Sequence, residues 1–183
     1  MFQKIAAIII IILISPLLLF LSILIFLIDG TPIYYKQKRL GLDSKVFNMY
    51  KFRTMVNNVG DIPKGIIKDP MSYITITGKL LRKFSLDELP QLINVIFGDM
   101  NLIGYRPCLI NETNLIELRQ KYNVHKYKPG ITGWAQINGR DNINDEEKAY
   151  LDMFYFSNRS LFFDIKILFF TAIVVITKKN VSH

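Results

Sequence analysis

The stretch Ile5–Ile28, IAAIIIIILISPLLLFLSILIFLI, decides how the rest of this chain is read, because it runs for 24 residues without a charge. As a straight helix it reaches roughly 36 Å, against about 30 Å for the hydrocarbon core of a bilayer. It reads as a membrane segment. A cleavable secretory signal is the competing reading, but the run is too long for a signal core. It also ends on Asp29-Gly30-Thr31-Pro32 rather than on a small-residue cleavage site. Midway sits Ser15-Pro16. The proline removes one backbone donor, frees the carbonyl of Ile12 and bends the helix, and the serine hydroxyl can satisfy the freed group.

Two geometries fit such a run: a kinked transmembrane span, or a re-entrant helix that enters and leaves one leaflet. Prolines are common in spanning helices, which favours the first. Positive charge at both ends, Lys4 before the run and Lys36, Lys38 and Arg39 after it, favours keeping both ends on the cytoplasmic side. Charge and proline leave the choice open.

The whole chain has 183 residues, half of them apolar, which suits one domain beyond the membrane segment. The expected division is residues 1–30 for the membrane helix and 31–183 for a membrane-associated domain. A single cysteine, Cys108, excludes an internal disulfide and a thiolate metal cluster, so a cytoplasmic face is the default. A formal charge of +8 implies anionic partners.

The domain reads as mainly α with a small β-hairpin. Ile33–Gln37 and Val46–Phe52 are β-prone runs around Leu40-Gly41-Leu42-Asp43-Ser44, and they carry Lys36, Lys38, Arg39, Lys45, Lys51 and Arg53. Asn57–Pro70 reads as a loop, and Ile74–Phe84 mixes a short apolar run with Lys79, Arg82 and Lys83. From Leu86 on, Leu89, Leu92, Ile93, Ile96 and Phe97 recur at helical spacing, with Gly98 as a stop. Further helices are expected over Asn111–Tyr122 and Glu146–Phe156, with a loop over Lys128–Arg140 between them. The last apolar stretch, Leu161–Thr177, is either an amphipathic helix lying on the membrane or a core helix, with Lys178 and Lys179 facing headgroups or water. His125 reads as a surface residue.

The chemistry is expected where Arg82 and Lys83 precede Ser85-Leu86-Asp87-Glu88. Ser85 and Glu88 have the spacing of a capping box, which would make the acidic pair a helix cap and nothing more. Pro90 complicates that, because it suits a first turn and points to a later helix start. The functional alternative is that one carboxylate attacks a phosphoryl group while its neighbour helps to hold Mg²⁺, with Arg82 and Arg106 as phosphate-binding forks. No zinc-ligand spacing, P-loop or dinucleotide fingerprint is present.

In order along the chain, the motifs resemble the bacterial sugar transferase family, the monotopic phosphoglycosyl transferases. They are Ser15-Pro16, Arg39-Leu40-Gly41, Tyr50 to Met55, Arg82 ahead of Ser85 to Gln91, and Gly98-Asp99-Met100. Arg106-Pro107, Pro129 to Arg140, and Asp152 with Tyr155 and Asp164 complete the set. Each motif is weak alone, and the ordered set is specific. The resemblance implies a re-entrant helix broken at Ser15-Pro16 and interfacial amphipathic helices on the cytoplasmic face of the bacterial inner membrane. It also implies a two-step transfer of a phosphosugar from a UDP-sugar to undecaprenyl phosphate, with UMP released. Asp87 is then the nucleophile and Glu88 a Mg²⁺ ligand, and Lys51, Arg82 and Arg106 surround the phosphates. Tyr105 stands where the family usually has proline, which puts the rigidity of the Arg106 loop in question. Ser72 to Thr75 and Gly139-Arg140-Asp141 look most like capsule or glycan initiators acting on N-acetylated sugars.

Two rivals remain. One is a non-catalytic basic module that binds anionic lipid, and the other a glycosyltransferase that releases UDP. Nucleic acid is not an expected partner, because Tyr34-Tyr35-Lys36 beside a membrane segment reads as an interfacial belt. The UDP-sugar, the downstream glycan and any homo-oligomer are not legible.

Overall fold

The computed structural model describes residues 2–56, 70–139 and 142–177. Most of the expected loop at 57–70, together with Arg140, Asp141 and Lys178–Lys179, lies outside the described residues. Helix α1 covers Phe2–Asp29 and continues as α-helix through Pro16. The carbonyl freed by the proline is taken as expected: Ser15 Oγ donates to Ile12 O at 2.8 Å. It is long and apolar enough to cross a membrane.

One stripe of α1 faces the rest of the protein. Ala7, Leu21 and Ile25 are buried, and Ile11, Ile14 and Leu18 pack between them, so the stripe advances by alternating steps of four and three residues. That spacing keeps one helix face in contact over its whole length. Its first half lies on Met49, Leu92, Val95 and Met100, and its second half on Phe52 and Leu81. The other faces are open, with Leu13 and Leu27 each 73% exposed.

Both ends of α1 are tied to the same body. Near the start, Leu102 N–H donates to Gln3 Oε1 at 2.8 Å. At the other end the buried Arg53 guanidinium donates to the carbonyls of Asp29, Gly30 and Thr31 at 2.6–2.8 Å, filling acceptors that a helix C-terminus leaves orphaned. The Thr77 hydroxyl also bonds the Asp29 carboxylate.

Strands β1 (Tyr34–Leu40) and β2 (Val46–Phe52) form the expected antiparallel hairpin, with β1 reaching further than the sequence suggested. Its open end docks on α1, where Tyr34 stacks on Phe52 with ring centroids 5.3 Å apart and its hydroxyl lies 3.1 Å from Ser22 Oγ. Ile74–Phe84 resolves into helix α2, Ile76–Lys83, started by Thr75, whose hydroxyl accepts from Gly78 N–H. The helix expected from Leu86 begins later, as Pro90 indicated: a 3₁₀ turn covers Leu86–Glu88, and α3 covers Gln91–Phe97. Gly98 ends α3 at φ 96°, and the Asn94 carbonyl accepts from the amides of Gly98, Asp99 and Met100. The buried Asn94 side chain accepts from Tyr50 N–H and donates to Asn48 O, fixing α3 against β2.

Three elements were not legible. Asn101–Ile103 and Gly130–Thr132 form a short parallel pair, β3 and β4, and Trp134–Ile137 forms helix α5 inside the expected loop. The pair depends on backbones meeting: a Cβ on Gly130 would lie 2.0 Å from Gly104 N. Helices α4 (Thr113–Lys121) and α6 (Asp145–Ser157) fall where expected. Helix α7 spans Leu161–Thr177 and buries Ile167, while Leu161 and Phe162 are 71% and 79% exposed. His125 is half-buried rather than a surface residue.

The contact stripe of α1 sets an expected outcome. Ile25→Ala, at a fully buried position, should cost about 2–5 kcal/mol in denaturant unfolding of the detergent-solubilised protein. Leu27→Ala, on the open face, should change stability by about 0.5 kcal/mol or less. Equal effects would show that the stripe is not a packing face.

Candidate active site

The 3₁₀ turn between α2 and α3 places Asp87 and Glu88 side by side, both nearly buried. The capping-box reading fails. Ser85 is left-handed at φ 53° and its side chain caps no amide, so the acidic pair is not engaged as a helix cap. Instead Glu88 Oε1 accepts from Lys51 Nζ and from Arg106 Nη2, each at 3.0 Å. Three separate segments therefore meet at one carboxylate: β2, the turn and the loop after β3. Asp87 differs, because its carboxylate makes no hydrogen bond among the described residues.

The electrostatics match this arrangement. Burial pushes the Asp87 carboxyl above its ordinary range, Lys51 opposes that, and Glu88 adds to the rise. Burial likewise lowers Lys51, with Glu88 opposing. Arg82 is lowered by burial and supported by Asp87, and its Nε donates to Thr54 Oγ1 at 2.9 Å. The five site residues expected from sequence, Asp87, Glu88, Lys51, Arg82 and Arg106, thus form one cluster of interacting charges. Ser15 and Pro16 lie in α1, apart from them.

Among the described residues no group of three or more His, Cys, Asp or Glu could hold a metal. Two adjacent carboxylates remain, which is the donor set Mg²⁺ takes when phosphate oxygens and waters complete its shell. The pair fits the ion on those terms.

The rigidity of the Arg106 loop does not come from a proline at 105. Tyr105 is 3% exposed, its hydroxyl donates to Gly41 O at 3.0 Å, and its ring lies 4.7 Å from the Arg119 guanidinium carbon. Four successive carbonyls are taken by four different donors: Tyr105 O by Gly130 N–H, Arg106 O by Arg119 Nη1, Pro107 O by Arg39 Nη1 and Cys108 O by Leu40 N–H. Burial holds the Arg39 pKa down to about 10, with Arg106 adding to the effect.

Arg119 was missed by the sequence reading. It is buried on α4, and its Nε and Nη2 both donate to Asp152 Oδ2 on α6, at 3.0 and 2.7 Å. The signal was available: Arg119 follows Leu115 by four residues, in the inward register of the expected helix. Asp152, Tyr155 and Asp164 act as supports. Tyr155 Oη donates to Asp164 Oδ1 at 2.6 Å, joining α6 to the first turn of α7.

Breaking the Arg119–Asp152 pair leaves a charge buried alone. Asp152→Ala should therefore cost about 3–5 kcal/mol in denaturant unfolding, and the Arg119→Met/Asp152→Leu double variant should recover much of it. No recovery would mean that the pair is not the source of the loss.

Comparison with known proteins follows the same lines. The family model described as bacterial sugar transferase matches residues 1–178. An uncharacterized sugar transferase, EpsL, of Bacillus subtilis (strain 168) is 43% identical over 100% of this chain and 89% of its own length. The undecaprenyl-phosphate galactose phosphotransferase of Salmonella typhimurium is 38% identical over 97% of this chain. The UDP-glucose:undecaprenyl-phosphate glucose-1-phosphate transferase of Escherichia coli (strain K12) is 39% identical over 91% of it. This chain spans only 40% and 37% of the lengths of those two proteins. With the family model matched from residue 1 to 178 and a relative aligned along the full length, the chain belongs to the bacterial sugar transferase family.

Proposed function

We propose that the chain is a phosphoglycosyl transferase that moves a phosphosugar from a UDP-sugar to undecaprenyl phosphate. The observation that carries this reading is the asymmetry of the acidic pair: Glu88 is braced by two cations, while Asp87 makes no hydrogen bond among the described residues. A braced carboxylate beside an unbraced one suits a nucleophile with a fixed neighbour. The named activities of the Salmonella and Escherichia coli relatives support the same reaction class.

In the first step an Asp87 oxygen attacks the β-phosphorus of the UDP-sugar. The bond from that phosphorus to the bridging oxygen breaks, and UMP leaves with the oxygen. In the second, an oxygen of undecaprenyl phosphate attacks the same phosphorus, the aspartyl bond breaks, and the Asp87 carboxylate is regenerated on a lipid diphosphosugar. Lys51, Arg82 and Arg106 favour the charged form of Asp87 and give the diphosphate a cationic wall. Arg106 offers its guanidinium from a loop held at four carbonyls. Mg²⁺ held by Glu88 would supply charge neutralisation on phosphate oxygens.

The membrane geometry belongs to the same proposal: α1 is re-entrant, with both ends on the cytoplasmic face of the inner membrane. Its support is the contact stripe, which runs from Ala7 to Ile25 along one body, with Gln3 and Asp29 tied to that body at either end. A helix that left the domain to cross the bilayer would carry one of those ends away.

Two measurements test this. The detergent-solubilised protein, with Mg²⁺, undecaprenyl phosphate and a panel of UDP-glucose, UDP-galactose and N-acetylated UDP-sugars, should release UMP from one donor. Chelation should stop the release, and Asp87→Asn should lower it on the order of 10³-fold or more. UDP as the product would move the chain to ordinary glycosyl transfer. In sealed inside-out vesicles, single cysteines at Lys4→Cys and Lys38→Cys, each in a Cys108→Ser background, should both react with an impermeant maleimide. Labelling of only one would establish a span.

A further inference from the structure

A second cationic site lies away from the acidic pair, at the other end of α3. A cavity of about 450 Å³ opens there between the first turn of α1, the end of α3 and the start of α7. Such a volume is that of a small-ligand pocket. Lys4, Lys128 and Arg159 line it, with Asp164 the one carboxylate in the lining among the described residues. Asp164 is already engaged, since Tyr155 Oη donates to it and Arg159 Nε lies 3.9 Å away. Lys4 and Lys128 pair with no carboxylate among the described residues.

The two ammonium groups nevertheless converge. Lys4 Nζ lies 2.9 Å, and Lys128 Nζ 3.7 Å, from the point that a Cβ on Gly98 would occupy. Glycine at φ +96° leaves that point open. Like charges aimed at one spot repel each other, and an anion between them reverses the sign of the interaction. The cavity also sits between two apolar surfaces. Lys4 begins α1, whose Ile5 and Ile9 are exposed, and Arg159 shortly precedes Leu161 and Phe162, the exposed start of α7.

We propose that this cavity binds the phosphate of an anionic phospholipid headgroup, with the acyl chains lying along the exposed faces of α1 and α7. The choice of a lipid source rests on the one-face membrane geometry proposed above, whereas the phosphate recognition rests on the lysines alone. Juxtamembrane cations are drawn to anionic lipid in the same way.

The test uses the full chain in neutral detergent and reads binding, so it does not depend on turnover. Short-chain phosphatidylglycerol, short-chain phosphatidylcholine and inorganic phosphate are titrated separately, with bound molecules counted by native mass spectrometry. One phosphatidylglycerol should bind saturably and more tightly than phosphatidylcholine. Lys4→Gln/Lys128→Gln should weaken it at least tenfold, while Lys121→Gln/Lys126→Gln, which removes the same net charge elsewhere, should leave it unchanged. If inorganic phosphate binds saturably and shows the same dependence on Lys4 and Lys128, the site stands as one for free phosphate and the lipid assignment falls. No saturable binding of either probe, or equal loss in the two double variants, overturns the site.

Discussion

The arrangement of the acidic pair depends on one buried carboxylate that bridges two cations. Lys51 lies on β2, Arg106 on the loop after β3 and Glu88 on the turn between α2 and α3, so a single oxygen ties together three segments distant in sequence. Removing Glu88 leaves two like charges without their shared carboxylate, Lys51 among them largely out of water, which is costlier than losing an exposed ion pair. The neighbouring Asp87 inherits a fixed position and a cationic surrounding without being consumed by either.

Such a junction holds only if its supports are stiff. The Arg106 loop has four successive carbonyls taken by β1, the residue that opens β4, and the side chains of Arg39 and Arg119. Arg119 is in turn neutralised by Asp152. On the other side, β2 leads from Lys51 to Arg53, the residue just beyond its end, which fills the carbonyls at the end of α1. Leu86 and Leu89, flanking the acidic pair, pack against the cluster that includes Leu21 and Ile25 of the same helix. The apolar helix and the acidic turn are thus parts of one packed body. Under the proposed function this brings the reacting carboxylate to the surface where a lipid-linked phosphate arrives.

The exposed faces of α1 and α7 complete that picture. Isoleucine, leucine and phenylalanine side chains on both helices lie open, and contiguous exposed apolar side chains mark an interaction surface. The cationic cavity at Lys4 and Lys128 sits between them.

Local chemistry was legible in the sequence wherever neighbours decide the outcome. The uncharged run, the proline with its serine, the hairpin, the Gly98 stop and the helices over α4, α6 and α7 all follow from hydropathy, period and the missing or extra backbone group. The ordered motifs also singled out Asp87, Glu88, Lys51, Arg82 and Arg106, whose charges the fold brings together. Ser85 and Glu88 misled, because their spacing matches a capping box and only the left-handed backbone at Ser85 rules it out. The pairing of β3 with β4 depends on two glycines meeting across more than twenty residues of chain, and three-residue strands carry no period to read. Which cation braces Glu88, which donor takes each carbonyl of the Arg106 loop, and that both ends of α1 rest on one body are facts of distance in space. Sequence alone determined the residue types and their local conformations; only tertiary structure decided their partners, because buried charges and backbone carbonyls are satisfied by whatever the fold brings within about 3 Å.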